Sequence, residues 1–390
     1  MNLRLTWCDS LHDAAFPADE YEQLRQRLPD STPFNHLGWL RAAEDALQPG
    51  QRLQVLLGYW HERLCLCLPL VREQERAGPL SVPVVQHLGH PLSDRIALLI
   101  DLPPALAGRV LQAIRKHLPH AVLRLSEVPD GTPHRSWLDT WAARSSTFER
   151  RLTCQVPVHR ISDADRQEVS GDPRYKLRRA RKRIQASGAS IRRVIASPET
   201  IEALLDAVSA VEAVSWKGDD EVGIFSGAQR RQWMYQAFTA LAREGLVCLV
   251  LLELDGRCIS YRLGLLERGR VYDYNLAFVP EYRDLGSGRV LLEEFIHWGL
   301  DAGWEWVDAS RVSLANSSHQ LHERMTGQVD QWRLSCYSWR LDGLLLGGAL
   351  RGWRWLKPHL ARRQAAQPVP TPSSPLAKEQ PNAVSGHRQR

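Results

Sequence analysis

The sequence predicts an α/β (α+β) chain of two similar halves in tandem, each a mixed, mostly antiparallel sheet flanked by helices. Three observations predict it. Short apolar or β-branched runs alternate with segments of helical apolar spacing. Asp255-Gly256 and Gly269 separate three apolar runs closely enough to make two hairpins. The tetrapeptide Gly-Arg-Val-Leu occurs at 108–111 and again at 288–291, each time opening a helix that leads into a strand.

The second half reads clearly. A basic helix follows Pro173 and runs to Gly188, a C-cap residue. Residues 190–196 are short and β-branched, hence a strand. Ser197-Pro198 is an N-cap with proline at the first helical position, opening a helix to about Ser215. A second helix spans 227–244. The runs 246–254, 258–267 and 270–278 form an antiparallel meander. A glycine-containing loop leads into a helix ending at Gly303. A strand at 304–310, a short helix at 317–325 and a strand at 329–339 complete this half.

The first half is less regular. Residues 33–47 have helical spacing. The runs 53–60 and 64–71 flank His61-Glu62-Arg63 as a hairpin. A strand at 95–101, a helix at 107–118 and a strand at 121–128 follow. The tail from Arg363 is rich in Pro, Ser and polar residues and lacks the apolar side chains needed to order itself. The expected division is 1–155, 156–345, a basic amphipathic helix at 346–362, and the tail at 363–390.

Composition narrows the class. Hydrophobic residues are 44% of the chain, enough for packed cores, and most of the fourteen tryptophans are expected there. A net charge of +6 suits an anionic partner without choosing one. Seven scattered cysteines with no C-x-x-C spacing point to a reduced, cytoplasmic protein without a zinc site. No apolar run reaches the ~18 residues that span a bilayer.

The most informative stretch is "EYRDLGSGRVLLEEF", beginning at Glu281. Glycine is poor inside a helix, yet Gly286 and Gly288 stand at a helix mouth. Unpaired amides there carry partial positive charge and suit phosphate. Glycines let a phosphate approach the backbone, and Arg283 and Arg289 add charge. The nucleotide-triphosphate loop is excluded, since no Gly-Lys-Ser/Thr follows. A dinucleotide fold is excluded too, since the third glycine and its acidic partner are missing.

With the order of elements around it, Arg283-x-x-Gly286-x-Gly288 resembles the coenzyme-A loop of GNAT N-acyltransferases, over roughly residues 174–339. Within that superfamily the chain resembles CelD/BcsL-type acetyltransferases linked to bacterial polysaccharide synthesis, and Fem-type aminoacyl transferases built from tandem GNAT domains. "PFNHLGWLRAA", "LPLVRE", "SDRIALLID", "YKLRRARKRIQASGA", "SWKG" and "RVSLANSSHQLHERMTG" carry this likeness. The first half lacks the loop and is a degenerate GNAT domain, not expected to bind coenzyme that way.

The resemblance implies acetyl-coenzyme A, or another acyl-coenzyme A, as co-substrate. Arg283, Gly286, Ser287, Gly288 and Arg289 would cradle the pyrophosphate. The backbone at Leu276, Ala277 and Phe278 would polarise the thioester carbonyl. Asp273 and Asp308 are acids in otherwise apolar strands, costly unless paired or functional, and are candidate bases. Strand alternation places Asp273 on the same face as Asn275, with Tyr272, Tyr274 and Leu276 opposite. Where many relatives have a late tyrosine acid, this chain offers His319 and, downstream, Tyr337. Trp216 and Lys217 are candidate acceptor contacts.

Residues 174–183 hold seven basic side chains, while Leu177, Ala180 and Ile184 share one face. Such a helix attracts an anionic acceptor, a membrane leaflet or tRNA. Residues 341–363 run apolar and then basic, with tryptophans, and suit either a helix packed across the halves or one lying at a membrane surface. The expected activity is acyl transfer to an amine or hydroxyl on a sugar, polysaccharide precursor or small molecule. The alternatives are a Fem-type transferase using aminoacyl-tRNA and a non-catalytic exopolysaccharide scaffold. The expected location is cytoplasmic, with a peripheral inner-membrane option.

Overall fold

The computed structural model describes residues 3–78, 80–131, 135–219, 222–309 and 325–365. The first half contributes β1 (Leu3–Cys8), α1 (Ala18–Arg27), α2 (Leu37–Asp45), β2 (Arg52–Trp60), β3 (Arg63–Ala77), β4 (Leu80–His87), β5 (Leu99–Ile100), α3 (Ala107–His117), β6 (Val122–Pro129), α4 (Arg135–Ala143) and β7 (Thr147–Arg160). The second contributes α5 (Gly171–Ser187), β8 (Ser190–Ile195), α6 (Ile201–Ala213), α7 (Trp216–Asp219), α8 (Gly227–Ala242), β9 (Val247–Leu254), β10 (Arg257–Glu267), β11 (Arg270–Phe278), α9 (Ser287–Ala302), β12 (Trp306–Asp308), β13 (Gly327–Tyr337) and α10 (Leu341–Ala365).

The strands form one sheet in the order β1-β2-β3-β4-β6-β13-β7-β12-β11-β10-β9-β8, with β5 beside β3. Among the described residues only β4–β6 and β11–β12 pair in parallel, and each does so over three residues. These two short pairings occupy equivalent places in the halves. Between them the halves exchange strands: β13, the last strand, pairs with β6 of the first half, and β7 pairs with β12 of the second.

One face of the sheet carries a core common to both halves. Trp39 and Phe34 lie against Tyr274, and Trp39 also meets Phe238 and Trp233 of α8. The other face carries two separate cores. Trp137 and Trp141 pack with α3 in the first half, and Phe295 and Val290 of α9 pack with Leu177 and Ile184 of α5 in the second.

Several element limits differ from the sequence expectation. Residues 95–101 pair as a strand only at Leu99 and Ile100. Before that, backbone groups go elsewhere: the Arg95 carbonyl accepts from Thr32, the Ala97 carbonyl from Asn35, and the Ile96 amide bonds the Glu127 carbonyl. The helix expected from Pro33 starts at Leu37, where His36 caps the Gly38 amide. The helix expected from Pro198 starts at Ile201, because the Ser197 amide turns onto the Thr200 hydroxyl. The short helix at 317–325 lies almost wholly outside the described residues, as does the tail beyond Ala365. Four of the fourteen tryptophans are buried, fewer than burial energetics alone suggested.

Candidate active site

The glycine loop ends a 3-10 turn, Pro280–Leu285, and opens α9. Gly286 adopts φ +66°, where an L side chain is strained, and a Cβ there would stand 3.3 Å from the Ala180 methyl of α5. Gly288 is different. Its φ is ordinary, and a Cβ added to it would meet nothing within 4 Å. At the corresponding start of α3, the same place at Gly108 is filled by the Arg144 guanidinium, 2.6 Å from such a Cβ. The second half thus leaves open a helix mouth that the first half closes with its own side chain. First-turn amides of α9, from Ser287 on, have no intrahelical acceptor.

Side chains hold this loop from beneath. Arg262 of β10 donates to the Gly288 carbonyl through Nε (3.1 Å) and Nη2 (2.8 Å). Its Nη1 pairs with Asp273 of β11. The Ser287 hydroxyl bonds that of Ser260 at 2.8 Å, and Arg183 of α5 donates to the Asp284 carbonyl at 2.5 Å. Arg283 and Arg289 are exposed at the loop surface.

The register of β11 changes at Tyr274. Leu263 faces Asn275 and Gly264 faces Asp273, leaving Tyr274 as an extra residue, a β-bulge. The bulge overturns the expected common facing of Asp273 and Asn275. Asp273 meets Arg262 under α9, whereas Asn275 donates to Glu212 of α6 (2.7 Å) and Tyr261 (3.2 Å). Tyr261 and Arg262 are consecutive on β10 and so face opposite ways. Past Tyr272, β11 is no longer paired to β12. Among the described residues, Leu276, Ala277 and Phe278 have β10 as their ladder partner.

A polar network fills the bulge. The Lys217 ammonium of α7 bonds the Asn275 side-chain oxygen, and Glu212 also accepts from the Phe225 amide at 2.8 Å. The Lys217 stem is partly exposed, but its charged end reaches a buried partner. That burial lowers its pKa, against the pull of Glu212, Asp94 and Asp273. Asp273 is pushed up to about 6, chiefly by burial, although Arg262 acts in the opposite direction. Its Oδ1 is buried with no hydrogen-bond partner among the described residues. Trp216, next to Lys217, is 48% exposed.

Asp308 lies on the other face, opposite Tyr272, and forms an ion pair with Arg95 of the first half. Both line a cavity of about 220 Å³ with Thr32, Arg270, Tyr272 and Trp306. Burial and the neighbouring Asp308 push the Tyr272 hydroxyl up to about 12. Tyr337 is at the far end of β13, opposite Thr147 and Val122, among first-half side chains. The Gly327 end of that strand, not the Tyr337 end, reaches Val158 beside Asp308. The site therefore brings together Asp273, Lys217 and the loop, and leaves Tyr337 apart. His319 lies outside the described residues.

Sequence reading passed over Arg262, Glu212, Asn275 and Arg95. A signal existed for Arg262, a lone cation inside the apolar run of β10. Glu212 has only its place among apolar residues near the end of α6. Arg95 gave none, because its partner is more than two hundred residues away.

Residues 171–313 match the acetyltransferase (GNAT) domain family. No curated protein sequence matches the chain. Among solved structures, FemX superposes with a TM-score of 0.55 at 10% identity, over 86% of this chain and 97% of that one. A conserved protein of unknown function from Bacteroides thetaiotaomicron gives 0.53 at 11%, over 86% and 100%. L-PGS from Bacillus licheniformis gives 0.50 at 12%, over 91% and 98%. At such identities the likeness is one of fold. Residues 171–313 are a GNAT-superfamily acetyltransferase domain.

Proposed function

We propose that the chain transfers an acyl group from an acyl-coenzyme A, acetyl-coenzyme A first among them, to an amine or hydroxyl. A sugar, polysaccharide precursor or small molecule is the acceptor class, as in the CelD/BcsL-type enzymes it resembles. The observation that carries this reading is Gly288. Neither its backbone nor its neighbours require glycine, and a helix is about 1 kcal/mol less stable with glycine than with alanine. A ligand brought against the bare backbone accounts for it, and the exposed helix mouth with Arg283 and Arg289 suits a pyrophosphate.

In this reading the thioester lies along the end of β11. A backbone amide among Leu276, Ala277 and Phe278 polarises its carbonyl. The acceptor nitrogen or oxygen attacks the carbonyl carbon, the C–S bond breaks, and the acceptor's proton ends on the coenzyme thiolate. In this reading Arg262 and Asp273 position the loop, and the Lys217–Asn275–Glu212 network is the route proposed for the acceptor's proton. The first test is calorimetric titration with acetyl-coenzyme A. Saturable binding that Gly288→Glu abolishes supports the reading. No binding by the intact protein overturns it.

A second reading has its own support in the basic helix α5, which packs beside the loop through Ala180 and Arg183. An aminoacyl-tRNA donor would use those charges. Its mark is tRNA binding that weakens steeply with salt.

A further inference from the structure

Another cavity lies away from the glycine loop, on the sheet face that carries the common core. Residues of α2, β4 and α8 line it, and its volume is about 230 Å³. Polar groups without protein partners stand in its walls. Four tryptophans of the chain are buried. Three of them donate through Nε1: Trp39 to the Ser93 hydroxyl (2.9 Å), Trp137 to the Leu102 carbonyl (3.0 Å) and Trp141 to the Ala107 carbonyl (2.9 Å). The fourth, Trp233, lines the cavity, and its N–H has no partner among the described residues. Gln86 repeats the pattern. Its amide nitrogen donates to Glu73 at 2.5 Å, which fixes the orientation of the amide, and its Oε1 is buried with no partner among the described residues. Trp233 and Gln86 are each only 6% exposed.

His87, beside Gln86 in the cavity wall, adds an acceptor. Its Nδ1 lies 2.6 Å from the Leu88 carbonyl and must donate to it. Burial lowers its pKa to about 4, so the ring is neutral near neutral pH and Nε2 carries the lone pair. A buried donor or acceptor without a partner costs stability, and here such groups line one cavity. The set decides what can satisfy them. One donor and two acceptors want a group that both accepts and donates, as a hydroxyl does. No Asp or Glu is among the described residues that line the cavity, so no carboxylate awaits a cation. Arg230 is the one Lys or Arg there, and it donates to the Gly223 carbonyl at 3.1 Å. An anion would also face the acceptor atoms of Gln86 and His87. The volume is several times the roughly 30 Å³ share of one water and below the ~300 Å³ of pockets for larger ligands, which leaves room for a single ring.

We propose that this cavity binds one uncharged sugar ring, a hexopyranose, whose hydroxyls meet Trp233 Nε1, Gln86 Oε1 and His87 Nε2. Gln48, which is exposed, and Gln229, bonded to it, stand at the open side through which the ring enters. The cavity wall is tied to the bulge of β11, since the Leu92 carbonyl accepts from the Tyr274 hydroxyl at 2.7 Å. The site is separate from the loop at Gly286 and Gly288, and the inference does not depend on which acyl donor the protein uses.

The test is saturation-transfer NMR of the full chain titrated with glucose, galactose and mannose, and with the uronate of each. Binding of at least one neutral sugar is expected, with its uronate about tenfold weaker or worse. Trp233→Phe removes the N–H and keeps a ring, and Gln86→Met removes the acceptor at similar length. Each should weaken sugar binding by about tenfold. Sugar binding is the only readout, so failure of the coenzyme reading leaves this one standing. Should either variant fail to fold, a crystal of the wild-type protein soaked in the sugar decides in its place. No binding by any of the neutral sugars, equal binding of the uronate, binding indifferent to either variant, or ordered water alone at Trp233 and Gln86 in the soaked crystal each overturns the proposal.

Discussion

Arg95 in the first half and Asp308 at the end of β12 form a buried ion pair that crosses from one half of the molecule to the other. Breaking such a pair from one side strands a charge. Arg95→Ala is expected to cost about 3–5 kcal/mol in urea unfolding. Arg95→Met with Asp308→Leu should recover most of that loss. If the double variant is as unstable as the single, the pair is not what Arg95 contributes.

The two loop glycines should respond oppositely to alanine. Gly286→Ala puts a side chain at φ +66° and against Ala180, and should destabilise by about 1–2 kcal/mol. Gly288→Ala meets open space inside a helix and should stabilise by about 0.5–1 kcal/mol. Thermal melts of both variants check this. A loss of stability in Gly288→Ala would show that the fold, not a ligand, demands that glycine.

Asp273 sets a pH dependence whose sign is fixed. Its carboxyl titrates near 6 when folded and near 3.8 when not, so the folded state holds the proton more tightly between those values. Stability from this group is therefore highest below pH 3.8 and declines as pH rises to 6. Relative to wild type, Asp273→Asn should gain melting temperature as pH rises from 4 to 6 and level off above. The total change should not exceed about 3 kcal/mol, at about 1.4 kcal/mol per pKa unit. A flat difference across that range would mean Asp273 does not titrate there.

Thiol chemistry should be slow. Six cysteines are buried and Cys258 is half-buried. Burial pushes Cys258 up to about 12 and Cys336 up to about 11, and raises Cys67 and Cys248 as well. A disulfide reagent at neutral pH should label native protein at least ~10-fold more slowly than protein in denaturant, where all seven react. Rapid native labelling of even one would show an accessible thiolate.

The meander and α9 were legible because their turns and caps are local: Asp255-Gly256, Gly269 and Gly303 mark strand and helix ends by their own conformation. The loop was legible for the same reason. The bulge at Tyr274 was not, since it exists only in the register against β10, and with it went the facing of Asn275. β7 carries Arg, Glu and Thr with no clean alternation, and its identity as a strand comes from β12 and β13 on either side. Tyr337 was placed by its position in sequence, but β13 runs away from the loop. The run 341–363 was legible as one helical segment, and α10 spans Leu341–Ala365.

The exchange of β7 and β13 has a consequence for synthesis. When a ribosome has released residues 1–160, β6 has a bare edge and β7 has no neighbour at all. Both of β7's partners, β12 and β13, lie later in the chain. Releasing the second half up to β12 gives β7 one partner and still leaves the slot between it and β6 empty. Among the described residues that slot is filled by 327–337, which α10 alone follows. A stop codon before Gly327 would therefore not yield a shortened but usable protein. It would yield two open sheet edges facing each other across a missing strand, a natural target for aggregation and for quality control.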